Sequence, residues 1–168
     1  MKIAIVGASG VGKSTIAEAL ARHYAIRAYE FDDIYWDLTQ AEYVKNTQEV
    51  MDHKIAAILK QDTWLVEGAY DKRMLPFFED SSVILRVKIP YWRIAYRLIK
   101  RYAFAKITRK KPVETWKNTL ELLRFSKVFD TRLDRFFEEN AELLNKLVVV
   151  EDTADCLKII DNLDCCGL

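Results

Sequence analysis

The sequence predicts an α/β fold in which a five-stranded parallel sheet is doubly wound, with helices on both of its faces. Three observations predict it. Apolar, β-rich runs at Ile3 to Val6, Ala28 to Phe31, Thr63 to Glu67, Ser82 to Ile89 and Leu147 to Glu151 alternate with helical patterns. The runs are apolar on both alternations, as parallel strands are when helices cover them on both sides. The chain has 168 residues, 51% of them hydrophobic, which fills one core well and is short for two. A single domain over 1–168 is therefore expected.

The elements follow in order. The first strand, Lys2 to Val6, leads through a glycine loop into an amphipathic helix from Lys13 to about Tyr24. After the second strand, Thr39 and Glu42 have capping-box spacing, and Tyr43, Val44, Thr47, Val50, Met51, Ile55, Ile58 and Leu59 continue an apolar stripe that ends near Lys60. Pro90 opens the next helix at its first turn, where a missing N–H costs nothing, and Ile94, Leu98 and Tyr102 supply its apolar side. Phe125 to Leu144 reads as one long helix or a helix pair. Asp152 or Thr153 caps the last helix, whose buried side includes Leu157, Ile160 and Leu163.

The loop is the most informative stretch. Gly7-Ala8-Ser9-Gly10-Val11-Gly12-Lys13-Ser14 fits the phosphate-binding pattern G-x-x-x-x-G-K-[ST], and Thr15 follows it. A strand that feeds such a loop into a helix aims successive backbone N–H groups and the positive end of the helix dipole at one point, where phosphate oxygens sit. Lys13 is then expected to reach the β- and γ-phosphates and Ser14 to coordinate Mg²⁺, making ATP and Mg²⁺ the expected ligands. Three of the chain's five glycines fall here.

Two further carboxylate positions belong to the same edge of the sheet. Phe31-Asp32-Asp33-Ile34-Tyr35-Trp36 follows the second strand, at the carboxyl edge where open α/β sheets bind ligands. Asp32 can accept the proton of a substrate hydroxyl, while Tyr35 and Trp36 can flank an aromatic or sugar group. The alternative is that Asp32 or Asp33 caps a turn and the rings belong to the core. In Trp64-Leu65-Val66-Glu67-Gly68 an acid ends an apolar strand beside a glycine, as a Walker B carboxylate acting on Mg²⁺ through water would. Glu67 can equally be a solvated acid or a structural partner.

From Arg86 to Lys111 there are ten cations and no acid, so the rest of this chain of net charge +1 is acidic. In a phosphotransfer enzyme such a segment, about 90–125, is a helical lid whose arginines neutralise charge on the transferred group. Arg97 and Arg101, four apart, share a helix face, and Arg93 extends it. The other readings are a solvated helix side and a nucleic-acid groove, since Tyr91, Trp92, Tyr96, Tyr102 and Phe104 interleave with the basic residues. Arg73 can bind an acceptor, and Arg124, Arg132 and Arg135 can reach phosphates from the following helix.

Composition limits the rest. Cys156, Cys165 and Cys166 form neither an even framework nor a C-x-x-C pair, in keeping with a reduced intracellular protein. The start lacks a secretory pattern and no run of about 18 apolar residues exists, so a cytoplasmic protein without membrane contact is expected. His23 and His53 stand singly as surface or satisfied helix residues. Asn145-Lys146-Leu147-Val148 begins like a guanine-reading motif, but Val148 stands where an Asp is required, which argues against a GTPase.

Gly7 to Ser14, Asp32 to Trp36, Trp64 to Tyr70 and the basic run after Pro90 together resemble the adenylate-kinase-related P-loop proteins named DNA topology modulation proteins (FlaR-like). Glu67, Ala69 and Lys88 depart from that family's pattern, which has Asp, Asn and an acid there. The resemblance implies the fold of nucleoside monophosphate and shikimate kinases, with adenine held by lid and C-terminal loop contacts. A kinase that transfers the γ-phosphoryl of ATP to a small acceptor, with a nucleoside monophosphate as first guess, is the leading expectation. The alternative is a nucleotide-dependent DNA-binding or regulatory ATPase.

Overall fold

The three central strands of the main sheet are buried along almost their whole length, as strands covered on both faces must be. The computed structural model describes residues 1–37, 39, 44–108 and 115–165, without the side chains of 108 and 163–165. In chain order the elements are β1 (Lys2–Val6), α1 (Lys13–His23), β2 (Ala28–Glu30), α2 (Phe31–Tyr35), β3 (Trp36–Asp37), β4 (Val44–Lys45), α3 (Gln48–Leu59), β5 (Trp64–Gly68), α4 (Leu75–Asp80), β6 (Val83–Val87), α5 (Tyr91–Thr108), α6 (Trp116–Glu139), β7 (Leu147–Val150) and α7 (Thr153–Cys165). Short 3₁₀ turns at Lys72–Met74 and Ala141–Lys146 precede α4 and β7.

The main sheet has the order β2-β5-β1-β6-β7 and every pairing in it is parallel. That is the predicted five-stranded sheet. Its register matters for function: Val6 pairs with Gly68, Ile5 with Glu67, and Glu30 with Glu67. The ends of β1, β2 and β5 are therefore level, and whatever follows them is gathered at one carboxyl edge. Rings lock the layers around it. Phe77 packs edge-on against Trp64 and Phe31, and Phe78 packs against Phe136 and Phe137 of α6.

Three predicted boundaries are corrected. The helix expected from Thr39 begins at Gln48, capped by Thr47, whose hydroxyl accepts from Val50 N at 3.4 Å. Asn46 prevents an earlier start, because its side-chain amide donates to the carbonyls of Ile34 and Trp36 and its backbone N–H to that of Tyr35. Those bonds staple β3 to β4 as a small antiparallel pair. Thr39 donates to Asp37 instead of capping, and Glu42 and Tyr43 lie outside the described residues. Phe31 opens α2 rather than ending β2.

The long helix expected from Phe125 starts at Trp116, where the Thr115 hydroxyl accepts from Asn118 N at 3.2 Å. It stops at Asn140, so the stretch to Leu144 is 3₁₀. Apolar periodicity missed the stretch before Phe125 because its one buried position, Thr119, is polar. Arg86 is no part of a basic lid. It is a buried β6 residue paired with Asp134 of α6 at 2.5 Å and donating to the Asp130 carbonyl. Arg109, Lys110, Lys111, Cys166 and the side chains of Leu163 and Cys165 lie outside what is described. Cys156 is buried, and burial pushes its thiol up to about 12. His23 and His53 are exposed.

Candidate functional site

The glycine loop has the backbone its letters require. Gly10 and Gly12 adopt φ of 86° and 104°, a region costly for any residue with a Cβ. A Cβ on Gly7 would lie 2.6 Å from the Val87 carbonyl oxygen. Two loop carbonyls are held from outside: Ser126 Oγ donates to Ser9 O at 3.1 Å and Arg97 Nη1 to Val11 O at 2.5 Å. Because the peptide group is planar and trans, a carbonyl pulled one way sends the next N–H the other way. Helices α5 and α6 thus turn the amides of Gly10 and Gly12 away from themselves.

Lys13 is buried, with Nζ donating to Ala8 O at 3.0 Å. Burial holds its pKa below the usual lysine value, against the opposing pull of Glu67, Asp32 and Glu30. A buried cation so placed is eased by an anion. Ser14 Oγ donates to Glu67 Oε1 at 2.5 Å, which puts a hydroxyl from the first turn of α1 beside a carboxylate near the end of β5. Loop, lysine and oxygen pair fit a nucleotide triphosphate with a hard cation such as Mg²⁺. Among the described residues no cluster of three or more His, Cys, Asp or Glu could hold a metal. The Ser14–Glu67 pair therefore suits an ion that keeps phosphate and water ligands.

A cleft of about 240 Å³ opens beside the loop, lined by Lys13, Ser14, Glu30, Asp32, Glu67 and Arg101 together with Ser9, Gly10, Gly68 and Ala69. Asp32 is exposed to it and accepts from Tyr70 Oη at 2.7 Å; the Trp36 side chain in turn hydrogen bonds to Tyr70. Burial, then the bond to Asp32, holds the Tyr70 phenol well above its usual pKa, so it stays a donor. Glu30 sits level with Glu67 across the sheet, and burial followed by the charges of Glu67, Asp33 and Asp32 raises its pKa. A second cleft of about 200 Å³ lies on the other side of the loop, between Val11, Gly12, Thr15 and Arg97 and the turn Glu151–Thr153.

The structure thus brings Lys13, Ser14, Asp32, Glu67 and Arg101 into one cleft and separates other predicted residues from it. Arg97, although on the same helix as Arg101, opens on the second cleft with Thr15. Arg93 lies 4.0 Å from Glu151 and over the Trp92 ring, and does not line the cleft. Tyr35 is buried and Trp36 half-buried; their rings meet edge-on at 4.7 Å instead of flanking an open site. Asp33 is exposed, and its carbonyl accepts from Lys54. Arg73 lies over the Tyr35 ring, and Arg132 pairs with Asp71 at 2.7 Å. Arg124 and Arg135 are exposed on α6.

Sequence reasoning missed Glu30 and Ser126. Glu30 carried a usable signal, because it ends β2 as Glu67 nearly ends β5. Ser126 carried none, since its partner is set by tertiary packing. No described helix is long and apolar enough to cross a membrane.

No protein-family model matches the chain. Among curated proteins it is similar to Cytidylate kinase 2 of Borreliella afzelii (strain PKo), 25% identical over a 111-residue alignment that covers 64% of this chain. The chain spans 57% of that relative's length in the match. Among solved structures it is similar to a gluconokinase from Sinorhizobium meliloti 1021, with a TM-score of 0.56, 17% identity, and coverage of 99% of this chain and 97% of that one. It is also similar to the shikimate kinase of Acinetobacter baumannii in complex with shikimate, with a TM-score of 0.53, 15% identity, and coverage of 99% and 94%. The chain has the α/β fold these P-loop kinases share.

Proposed function

We propose that this protein is an ATP-dependent phosphotransferase that moves the γ-phosphoryl group to a hydroxyl of a small acceptor. The observation that carries the reading is one cleft holding a buried lysine, a serine–glutamate pair and an exposed carboxylate at the carboxyl edge of the sheet. Lys13 and the loop amides hold the triphosphate tail, and Ser14 with Glu67 would hold Mg²⁺, which supplies charge neutralisation between the phosphates. Arg101 adds positive charge on the side of α5, which with the start of α6 acts as the lid. The second cleft, between Arg97 and the Glu151–Thr153 turn, receives the base of the nucleotide.

Asp32 takes the proton of the acceptor hydroxyl as its oxygen bonds to the γ-phosphorus. The bond from that phosphorus to the β,γ-bridging oxygen breaks, and ADP leaves with the electron pair. Most of the rate comes from positioning and charge, because phosphoryl transfer asks little covalent chemistry of the protein. A nucleoside monophosphate is the first acceptor to try, in view of the cytidylate kinase likeness; there the attacking atom is an ionised phosphate oxygen, and Asp32 orients the nucleotide instead of taking a proton. Use of ATP is in keeping with action in the cytoplasm. The narrower resemblance to the topology modulation proteins rests on motifs alone, and no observation of the site favours DNA as a partner.

Lys13→Ala tests the reading. ATP turnover should vanish while the far-ultraviolet circular dichroism stays that of the native fold. Unchanged phosphotransfer would overturn the assignment.

A further inference from the structure

Helix α5 is apolar on the side that faces away from the protein. Its inward side is accounted for: Ile94 and Leu98 are buried, Arg97 donates to Val11 O and Arg101 lines the cleft. On the opposite side Trp92, Tyr96, Ile99, Ala103 and Ile107 follow one another at spacings of four, three, four and four residues. At about 3.6 residues per turn they share an arc of roughly 80°. Trp92 is 66% exposed, Tyr96 62%, Ile99 44% and Ile107 80%, and Ala103 is exposed between them. A lone exposed ring or branched chain is ordinary, but a continuous stripe along one helix face marks a contact surface.

Charge is arranged around that stripe. The helix has five cations and no acid. Arg97 and Arg101 turn inward, whereas Arg93 and Lys100 flank the stripe on one side and Lys106 on the other. All three flanking residues are exposed; Arg93 lies over the Trp92 ring and 4.0 Å from Glu151, and Lys106 Nζ lies 5.9 Å from the Tyr102 ring centroid. The net charge of +1 conceals this local excess, because the acids stand elsewhere in the chain. An occupant that complements the face is anionic and also takes up apolar side chains. A second copy meeting it face to face would set cation against cation. Single-stranded nucleic acid stacks on ring after ring, whereas Ile99, Ala103 and Ile107 interrupt the stripe with no π face. An anionic lipid surface meets both needs, with headgroups for the cations, the acyl boundary for the apolar residues, and a border that suits Trp and Tyr.

We propose that α5 docks the protein on an anionic phospholipid surface, with Trp92, Tyr96, Ile99 and Ile107 sunk to the acyl boundary and Arg93, Lys100 and Lys106 on the headgroups. The helix lies in the plane of the interface, in keeping with no described helix being long and apolar enough to cross. Docking does not depend on the kinase reading, since the face lies opposite the side that carries Arg97 and Arg101.

The test adds the 168-residue chain to vesicles of phosphatidylcholine alone or with about one third phosphatidylserine, at about 0.1 M salt, and measures binding by co-sedimentation. The mixed vesicles should bind at least about tenfold tighter, the order expected of two or three cations at a charged surface. Trp92→Ser combined with Ile107→Ser should weaken binding to the mixed vesicles about tenfold or more. Lys100→Gln combined with Lys106→Gln should remove the preference for them. Tryptophan fluorescence should shift to the blue on binding, and most of that shift should be lost in Trp92→Phe, which keeps the affinity. These side chains stand in solvent, so far-ultraviolet circular dichroism should be unchanged; if a paired variant fails to fold, Trp92→Phe decides. Equal or absent binding to the two vesicles, binding unchanged in either paired variant, or a blue shift that survives Trp92→Phe overturns the proposal. So does a dimer seen by light scattering that the serine pair dissolves, which gives the face to a second copy. A single-stranded oligonucleotide bound more tightly than the vesicles, and lost with the serine pair, likewise overturns it and gives the face to nucleic acid.

Discussion

The loop side and the α2 side of the cleft, to which the proposed function gives the phosphoryl donor and acceptor, are made of different materials. On the donor side a contiguous stretch, Gly7 to Ser14, shapes its own backbone around two positive-φ glycines and needs only Arg97 and Ser126 to hold it from behind. On the acceptor side no two neighbouring residues suffice. Glu30 and Asp32 come from β2 and α2, and Tyr70, which donates to Asp32, follows β5. A backbone-built site is carried by a motif, whereas a side-chain-built site is carried by topology. Chemistry shared by many kinases belongs to the first, and choice of substrate to the second.

The largest break in that comparison should come from Lys13→Ala, with turnover down about 10³-fold, the scale of a lost transition-state charge contact. Steady-state assay with any productive acceptor measures it. Next is Arg86→Met, which removes the partner of the half-exposed Asp134 and the bond to the Asp130 carbonyl behind the loop; denaturant unfolding should show a loss of about 1 kcal/mol, because Asp134 is left in contact with solvent. Its pH signature is separate. The hydrogen bond from Arg86 holds the Asp134 carboxyl below its ordinary value, so the pair stabilises the fold above about pH 4, the unfolded carboxylate range, and loses that contribution as pH falls through the lower folded value. In the variant this acid-limb dependence should disappear.

Asp32→Asn sharpens the contrast from the other side. Turnover should fall about 10²-fold while calorimetric ATP affinity is unchanged, because general-base loss leaves the donor grip intact. Gly12→Ala does the reverse, costing about 1–2 kcal/mol of stability by forcing a Cβ into a left-handed backbone beside Arg97 and weakening ATP binding with it. Glu30→Gln should give the smallest effect. Burial and neighbouring acids raise the Glu30 pKa, so its charge opposes folding above about pH 4; the variant should melt slightly higher at pH 7, and the gap should close in acid.

The same division explains what was legible in the sequence. The sheet could be read because β1, β5 and β6 are apolar throughout, and the loop because its glycines are backbone necessities. Asp32 was legible as an acid just after a strand and Glu67 as one near a strand's end. The start of α3 was not, since the local stripe through Val44 ran against three hydrogen bonds made by Asn46. Arg86 looked like lid charge until its register on β6 and its partner on α6 were known. Arg97 and Arg101 share a helix spacing, yet the loop lies between their two clefts. Periodicity places residues on a face but does not say what the face meets.

The most direct measurement incubates purified protein with γ-labelled ATP, Mg²⁺ and a panel of nucleoside monophosphates, sugar acids and hydroxy acids, and follows the label by product mass. The label should appear on one acceptor class, at a rate lowered about 10³-fold in Lys13→Ala and about 10²-fold in Asp32→Asn. Label released only as inorganic phosphate, or an unchanged transfer rate in either variant, would contradict a kinase built on this cleft.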